Sequence, residues 1–363
     1  MDEKFRVNNF DLIRLLAALQ VAFEHAVQHL QVAALPALRE FAALFPGVPI
    51  FFFVSGFLIS RSFERNPDLR EYAQNRALRI YPALIVCTLV AVASVAFTGY
   101  FRSREFSAAL FVAWIAGQVT FVQFFNPDFM RGFGTGVLNG SLWSVTVELQ
   151  FYVLLPLVYA VARVDDRDPA RGRSSLLALL ALALLAQLGR DHVGSDLRAT
   201  LPFKLLNVSF VPWIFLFLLG VLTQRHFEVV HARLAGRFLP WFVAYIVAAM
   251  LATRVLGMDI GNAMNPLLSV LLAAAVFAFA YTRPALGHRL LRGNDISYGV
   301  YIYHVPVINL FIHAGWVGLG LHAVVGVVGI SLALAAASWW GVERPCLRLK
   351  RHPMNPVAVG RHV

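Results

Sequence analysis

Residues 10–25 read FDLIRLLAALQVAFEH, an apolar run interrupted by Asp11, Arg14, Gln20, Glu24 and His25. At about 100° per residue, the eleven steps from Arg14 to His25 make three turns plus about 20°. A helix therefore carries both side chains on one face, about 16 Å apart along its axis. That is roughly half the hydrocarbon thickness of a bilayer. A cation and a titratable ring so spaced are costly in lipid, and intramembrane ionisable groups mark functional sites.

The rest of the chain supports a membrane reading. Of 363 residues, 59% are hydrophobic and only 14% charged, and mean hydropathy is +0.67. Apolar runs recur from end to end, and no polar segment is long enough for a separate soluble domain. The composition predicts an all-α polytopic membrane protein, with one transmembrane domain over 1–345 and a basic cytoplasmic tail over 346–363. Met1 to Asn9 is polar and no small-residue cleavage site follows the first apolar run, so no cleavable signal is expected. Cys87 and Cys346 imply neither a disulfide framework nor a metal cluster. The net charge of +11 needs no nucleic-acid partner, because Lys and Arg fall at the ends of apolar runs, as cytoplasmic loops require.

Eleven apolar stretches stand out: 8–30, 46–63, 79–98, 108–126, 141–162, 174–189, 208–224, 238–256, 265–282, 296–314 and 319–341. Both termini are basic, so both are expected in the cytoplasm and the number of crossings is even. The segment 108–126 is the weakest, flanked by Arg102, Arg104 and the glycine-rich RGFGTG of 131–136. Read as re-entrant or interfacial, it leaves ten spans. Of the 31 Lys and Arg, 22 then lie in inner segments, among them Arg163, Arg167, Arg171 and Arg173, and 8 in outer ones. Arg14 falls in the inner half of the first helix, His25 in its outer third, and Glu148 at a depth similar to His25.

Four motifs carry candidate chemistry. His25 is a candidate base, and Asp11 can pair with Arg14 at i,i+3. NRALRIYP (75–82) sets Arg76 and Arg79 on one face, which suits either a stop-transfer cluster or a clamp for phosphate oxygens. SLWSVTVELQFYVLLP (141–156) buries Glu148, with Ser144 and Tyr152 one turn to either side and Trp143 nearby. A carboxylate there must be protonated, paired or near water. SYGVYIYHVPV (297–307) offers Tyr301, Tyr303 and His304, expected to line substrate or pack helices. GVPIFFFVSGFLIS (47–60) has no titratable group, and its small residues suit close helix packing. There is no G-x-S-x-G elbow, P-loop, Rossmann fingerprint or H-E-x-x-H.

In this order, the motifs resemble the acyltransferase-3 family of integral-membrane O-acyltransferases. FDLIRLLAALQVAFEH looks like its Arg-x10-His helix at Arg14 and His25. RALRIYP looks like its Arg-x-x-Arg motif at Arg76 and Arg79, and SLWSVTVELQFYVLLP like its Trp-Ser-x-x-x-Glu segment with Glu148. ISYGVYIYHVPV and VERP (342–345) match its last spans. Glu24 departs from the pattern, which more often has an apolar residue before the histidine. The resemblance implies acyl transfer, commonly of acetyl from acetyl-CoA, to sugar hydroxyls of a polysaccharide, glycolipid or oligosaccharide, in a bacterial cytoplasmic membrane. No cofactor is bound permanently, and acyl-CoA is a co-substrate. On this reading Arg14, Arg76 and Arg79 hold acyl-CoA, His25 is the general base and Glu148 supports its imidazolium. An acyl-histidine intermediate is the alternative chemistry. The rival class is a proton-coupled transporter or flippase for a glycolipid or small molecule, with Arg14, His25 and Glu148 as the relay.

Overall fold

The computed structural model describes residues 2–34, 36–162, 169–258 and 260–350, with only the backbone described at 2, 3, 169–171 and 191. Arg163 and Arg167, counted among the inner cations, lie outside these residues, as does most of the basic tail, including Arg351 and Arg361. Among the described residues the elements are helices, with no strand. Each of the eleven apolar stretches carries one helix of more than ten residues. In chain order these are α1 Phe10–His29, α2 Gly47–Arg65, α3 Leu69–Phe97, α4 Ala108–Gln118, α5 Leu142–Val161, α6 Pro169–Asp191, α7 Ile214–Arg225, α8 Phe238–Arg254, α9 Pro266–Ala280, α10 Ser297–His313 and α11 Leu321–Ser338. The segments Pro36–Arg65, Leu69–Phe97, Leu142–Val161, Gly172–Arg190 and Leu321–Leu347 are long and apolar enough to cross a bilayer alone. Helix α7 and the following Phe227–Leu234, bent by 91°, make a sixth if taken as one span.

Helix starts follow local chemistry. The Asp68 carboxylate accepts the Glu71 N–H at 2.7 Å to cap α3, and Ser107 accepts from Leu110 N at 3.1 Å to cap α4. Asn265 caps α9 just before Pro266, where a missing N–H costs nothing. Prolines inside helices have a second effect. A proline cannot donate to the carbonyl four residues earlier, so that oxygen needs another partner in lipid. Pro156 frees the carbonyl of Tyr152, which accepts from the Tyr72 hydroxyl at 3.0 Å. Pro306 frees that of Ile302, which accepts from Asn139 Nδ2 at 2.7 Å and from the Cys87 thiol at 3.3 Å. Two sequence interruptions thus become cross-links between α3, α5 and α10.

Helices α2 and α7 approach backbone to backbone. A Cβ on Gly56 would lie 2.0 Å from the Phe217 carbonyl oxygen, and one on Gly220 2.2 Å from that of Phe53. Small residues admit the partner backbone there, and dispersion contacts over the whole face hold the pair.

Contacts set the relative directions of α3, α5 and α10. Asp295, just before α10, meets Arg79 of α3, and Ile302 within α10 meets Cys87, so those helices are parallel. Asn139 meets Ile302 while Tyr152 meets Tyr72, so α5 runs opposite to α3. The segment between them therefore begins and ends at one end of the bundle, and α4 does not cross. Its 11 residues span about 16 Å, half of a hydrocarbon core. It is pinned there by an aromatic knot in which buried Trp114 packs against Phe101, Phe111 and Phe129. The glycine-rich loop is fastened to α10 by Asn309, which accepts from Thr135 N at 2.8 Å and donates to the carbonyls of Val137 and Leu138 at 2.8 and 3.0 Å.

Candidate active site

Helices α1 and α10 lie side by side, run in the same direction and join through polar groups at two levels. At the first, Asp295 Oδ2 accepts from Arg14 Nη1 at 2.5 Å and also from Arg79 Nη2. The other oxygen, Oδ1, accepts from Ser297 Oγ at 2.5 Å and Ser297 N at 3.2 Å, which fixes the carboxylate at the start of α10. Asp295 is buried, 7% exposed, so its charge is tolerated only because two guanidiniums and a hydroxyl surround it. The Asp11–Arg14 pair anticipated from i,i+3 spacing is not formed. Asp11 stays exposed at the mouth, while Asp295, projecting from a neighbouring helix, reaches both arginines.

At the second level, about 16 Å along α1, His25 Nδ1 lies 2.8 Å from Nε2 of His304. His304 is fully buried and His25 half-buried. The His29 ring, one turn further, is 5.9 Å from that of His25. Glu148 has other partners. Its Oε1 accepts from Ser55 Oγ at 3.0 Å and from the Tyr152 hydroxyl at 2.7 Å, and no hydrogen bond joins it to His25. The guanidinium of Arg76 stands 5.8 Å from the centre of the Tyr152 ring, within cation–π range.

The two arginines of RALRIYP are thus divided. Arg79 is committed to Asp295, while Arg76 has no ion pair among the described residues. Lys350, just past the last helix, joins this basic end. Burial first, then the neighbouring Arg76, Arg79 and Arg14, push its amine down to about 7, with Asp295 opposing. Tyr301 shares a 2.6 Å hydrogen bond with Ser144, and Trp143 packs on Trp213 at 5.1 Å. Both stabilise the contact of α5 with its neighbours. Among the described residues, no cluster of His, Cys, Asp and Glu is placed to hold a metal.

Sequence reading missed Asp295 and Lys350. In NDISYG, Asp295 looks like an ordinary polar residue before a helix, and Lys350 like one more charge in a basic tail. The signal available for Asp295 was electrostatic: Arg14 and Arg79 are both cations within apolar helices, half-buried in the structure, and such groups need a carboxylate.

Residues 7–340 match the family model described as an acyltransferase domain, and the chain belongs to the acyltransferase-3 family; by class it is an O-acetyltransferase. It is 34% identical to Nodulation protein 10 of Rhizobium leguminosarum bv. viciae over 94% of both chains. It is 26% identical to an O-acetyl transferase of Shigella phage Sf6, over 93% of this chain and 95% of that one. It is also 26% identical to the peptidoglycan O-acetyltransferase OatA of Listeria monocytogenes, over 73% of this chain and 45% of that longer protein. No solved structure matches the chain.

Proposed function

We propose that the protein moves an acetyl or other short acyl group from cytoplasmic acyl-CoA to a sugar hydroxyl of a surface polysaccharide, glycolipid or oligosaccharide. One observation carries this reading: a basic end at Arg14, Arg76, Arg79 and Lys350 is separated from a paired imidazole at His25 by about 16 Å of one helix face. Phosphates of the donor belong at the basic end, where guanidiniums recognise them. The pantetheine arm then runs along α1 and brings the thioester to His25. The membrane orientation rests on the charge count, with ten crossings and both termini cytoplasmic.

In the reaction, the acceptor hydroxyl attacks the thioester carbonyl carbon while His25 takes its proton. The tetrahedral intermediate collapses, the C–S bond breaks, and the proton on His25 passes to the CoA thiolate. The products are the O-acyl sugar and CoA thiol, and the base is regenerated. General-base assistance of this kind is worth about 10²–10⁴ in rate. A glycan acceptor is supported by the relative that acts on peptidoglycan.

The test is to incubate protein reconstituted in lipid with labelled acetyl-CoA and a panel of glycans and lipid-linked sugars. Glycan-dependent release of CoA thiol with label on the sugar is expected, and His25→Ala should abolish it at an unchanged protein level. Movement of a glycolipid across the bilayer with acetyl-CoA left intact would instead establish the transporter reading.

A further inference from the structure

We infer that His304 is a positioning residue for His25: it keeps the His25 proton on Nδ1 and leaves the lone pair on Nε2. This rests on the reading of His25 as base, and it identifies which nitrogen does the work. At 2.8 Å, His25 Nδ1 and His304 Nε2 form a hydrogen bond, so one carries the proton and the other accepts. Distance alone leaves two arrangements. In the first, His25 donates from Nδ1 and its Nε2 is a free base. In the second, His304 donates from Nε2, the proton of neutral His25 sits on its own Nε2, and that nitrogen cannot accept a proton from a hydroxyl.

The far side of His304 selects between them. The ring is fully buried, and its Nδ1 makes no hydrogen bond to side chain or backbone. The polar atoms beside the ring on its own helix are the backbone carbonyls of Val300 and Tyr301, one turn earlier. Nε2 faces His25, so Nδ1 is the nitrogen on the carbonyl side, and although no hydrogen bond forms there, the negative ends of these acceptors favour an N–H over a lone pair. With Nδ1 protonated, neutral His304 has its lone pair on Nε2. That lone pair accepts from His25 Nδ1, and His25 Nε2 is left basic. The second arrangement would instead set a buried lone pair against two carbonyl oxygens. The chain of assignments runs from the α10 backbone through His304 to His25, as the third member of a triad fixes the tautomer of its histidine. When His25 takes the hydroxyl proton, its Nδ1–H becomes a charged donor and the bond to His304 strengthens.

The experiment compares His304→Leu, which removes the acceptor, with His304→Gln. In the His304→Gln variant the new amide oxygen can stand near the place of Nε2 while the amide nitrogen faces the carbonyls. Nitrogen-15 solid-state NMR of histidine-labelled protein in lipid reports the tautomer directly, with the His25 signals assigned by their loss in His25→Asn. The expected result is an Nδ1–H tautomer of His25 in the parent and in His304→Gln, and a mixture or Nε2–H in His304→Leu. Turnover should fall on the order of 100-fold or more in His304→Leu with KM for acyl-CoA unchanged, and be largely restored in His304→Gln. An Nε2–H tautomer in the parent protein would overturn the inference, as would parental turnover in folded His304→Leu. Should His304→Leu fail to fold, the spectra of the parent and of His304→Gln still decide it. Should His25→Ala stay active while His25 is Nδ1–H in the parent, the base reading fails and the tautomer assignment stands.

Discussion

Arg14 and Asp295 form a 2.5 Å ion pair that joins the start of α10 to the first turns of α1. Since His25 and His304 meet further along the same two helices, the pair anchors a parallel unit with polar contacts at both ends. Arg79 enters the first contact from α3, so three helices converge on one carboxylate. A single acidic side chain thereby sets how far α1, α3 and α10 can slide past one another.

Asp295→Asn keeps the volume but removes the charge that balances Arg14 and Arg79. Breaking a buried pair from one side costs about 3–5 kcal/mol, because the remaining charges lose their counter-ion. A lower unfolding midpoint in detergent and a lower folded yield are expected. A midpoint equal to the parent's would show that Asp295 does not hold the helices together.

Among the described residues Arg76 is the arginine of its motif without a carboxylate partner, so it is the one available to a phosphate. Arg76→Gln should raise KM for acyl-CoA about tenfold, the loss of one charge-assisted hydrogen bond, with turnover nearly unchanged. Arg79→Gln should act mainly on stability, through Asp295. If KM is the same with and without Arg76, the residue is a helix-end charge that fixes topology.

Lys350 gives the basic end a pH dependence. Its amine, pushed down to about 7 from an ordinary value of 10.5, is charged below that pH and largely neutral above it until an anion binds. The unfolded chain keeps its proton up to the ordinary value, so between these limits the unfolded state binds more protons and stability rises with pH. Anion binding has the opposite preference, since it needs the charged form. The ratio of CoA dissociation constants, Lys350→Met over parent, should be largest near pH 6 and shrink toward 1 by pH 8.5. Calorimetric titration at both values measures it, and a pH-independent ratio would remove Lys350 from the phosphate site.

Glu148 can be tested by which kinetic constant it moves. Its carboxylate holds Tyr152, over whose ring Arg76 stands. Glu148→Gln should therefore raise KM for acyl-CoA more than it lowers turnover. A large fall in turnover at constant KM would return Glu148 to the role of supporting the His25 imidazolium.

Gly56→Ala places a methyl about where the Phe217 carbonyl oxygen already is. The obstacle is backbone rather than a movable side chain, so α2 and α7 must separate along their contact. Overpacking of this kind costs about 1–3 kcal/mol or more. Loss of folded protein, read by size-exclusion profile, is expected for Gly56→Ala but not for Gly189→Ala, where a Cβ meets nothing.

Much of this architecture is legible in the linear chain. Hydropathy marks eleven helices, charge threads them, and the eleven-residue spacing puts Arg14 and His25 on one face. These properties are local: helical period and transfer energy depend on residues a few positions apart. The partners are another matter. His304 lies 279 residues from His25, and Asp295 281 from Arg14, and periodicity records which face a residue occupies but not which helix will cover it. The assignment of Glu148 to Tyr152 and Ser55 and the parting of Arg76 from Arg79 were set by packing. The chain alone therefore established an apolar helical bundle with a cation and a base on one face of its first helix. The fold supplied what that pair needed: a carboxylate for the arginine and a second imidazole for the histidine, because buried charge and a directed lone pair are satisfied only by groups that tertiary contact brings within 3 Å.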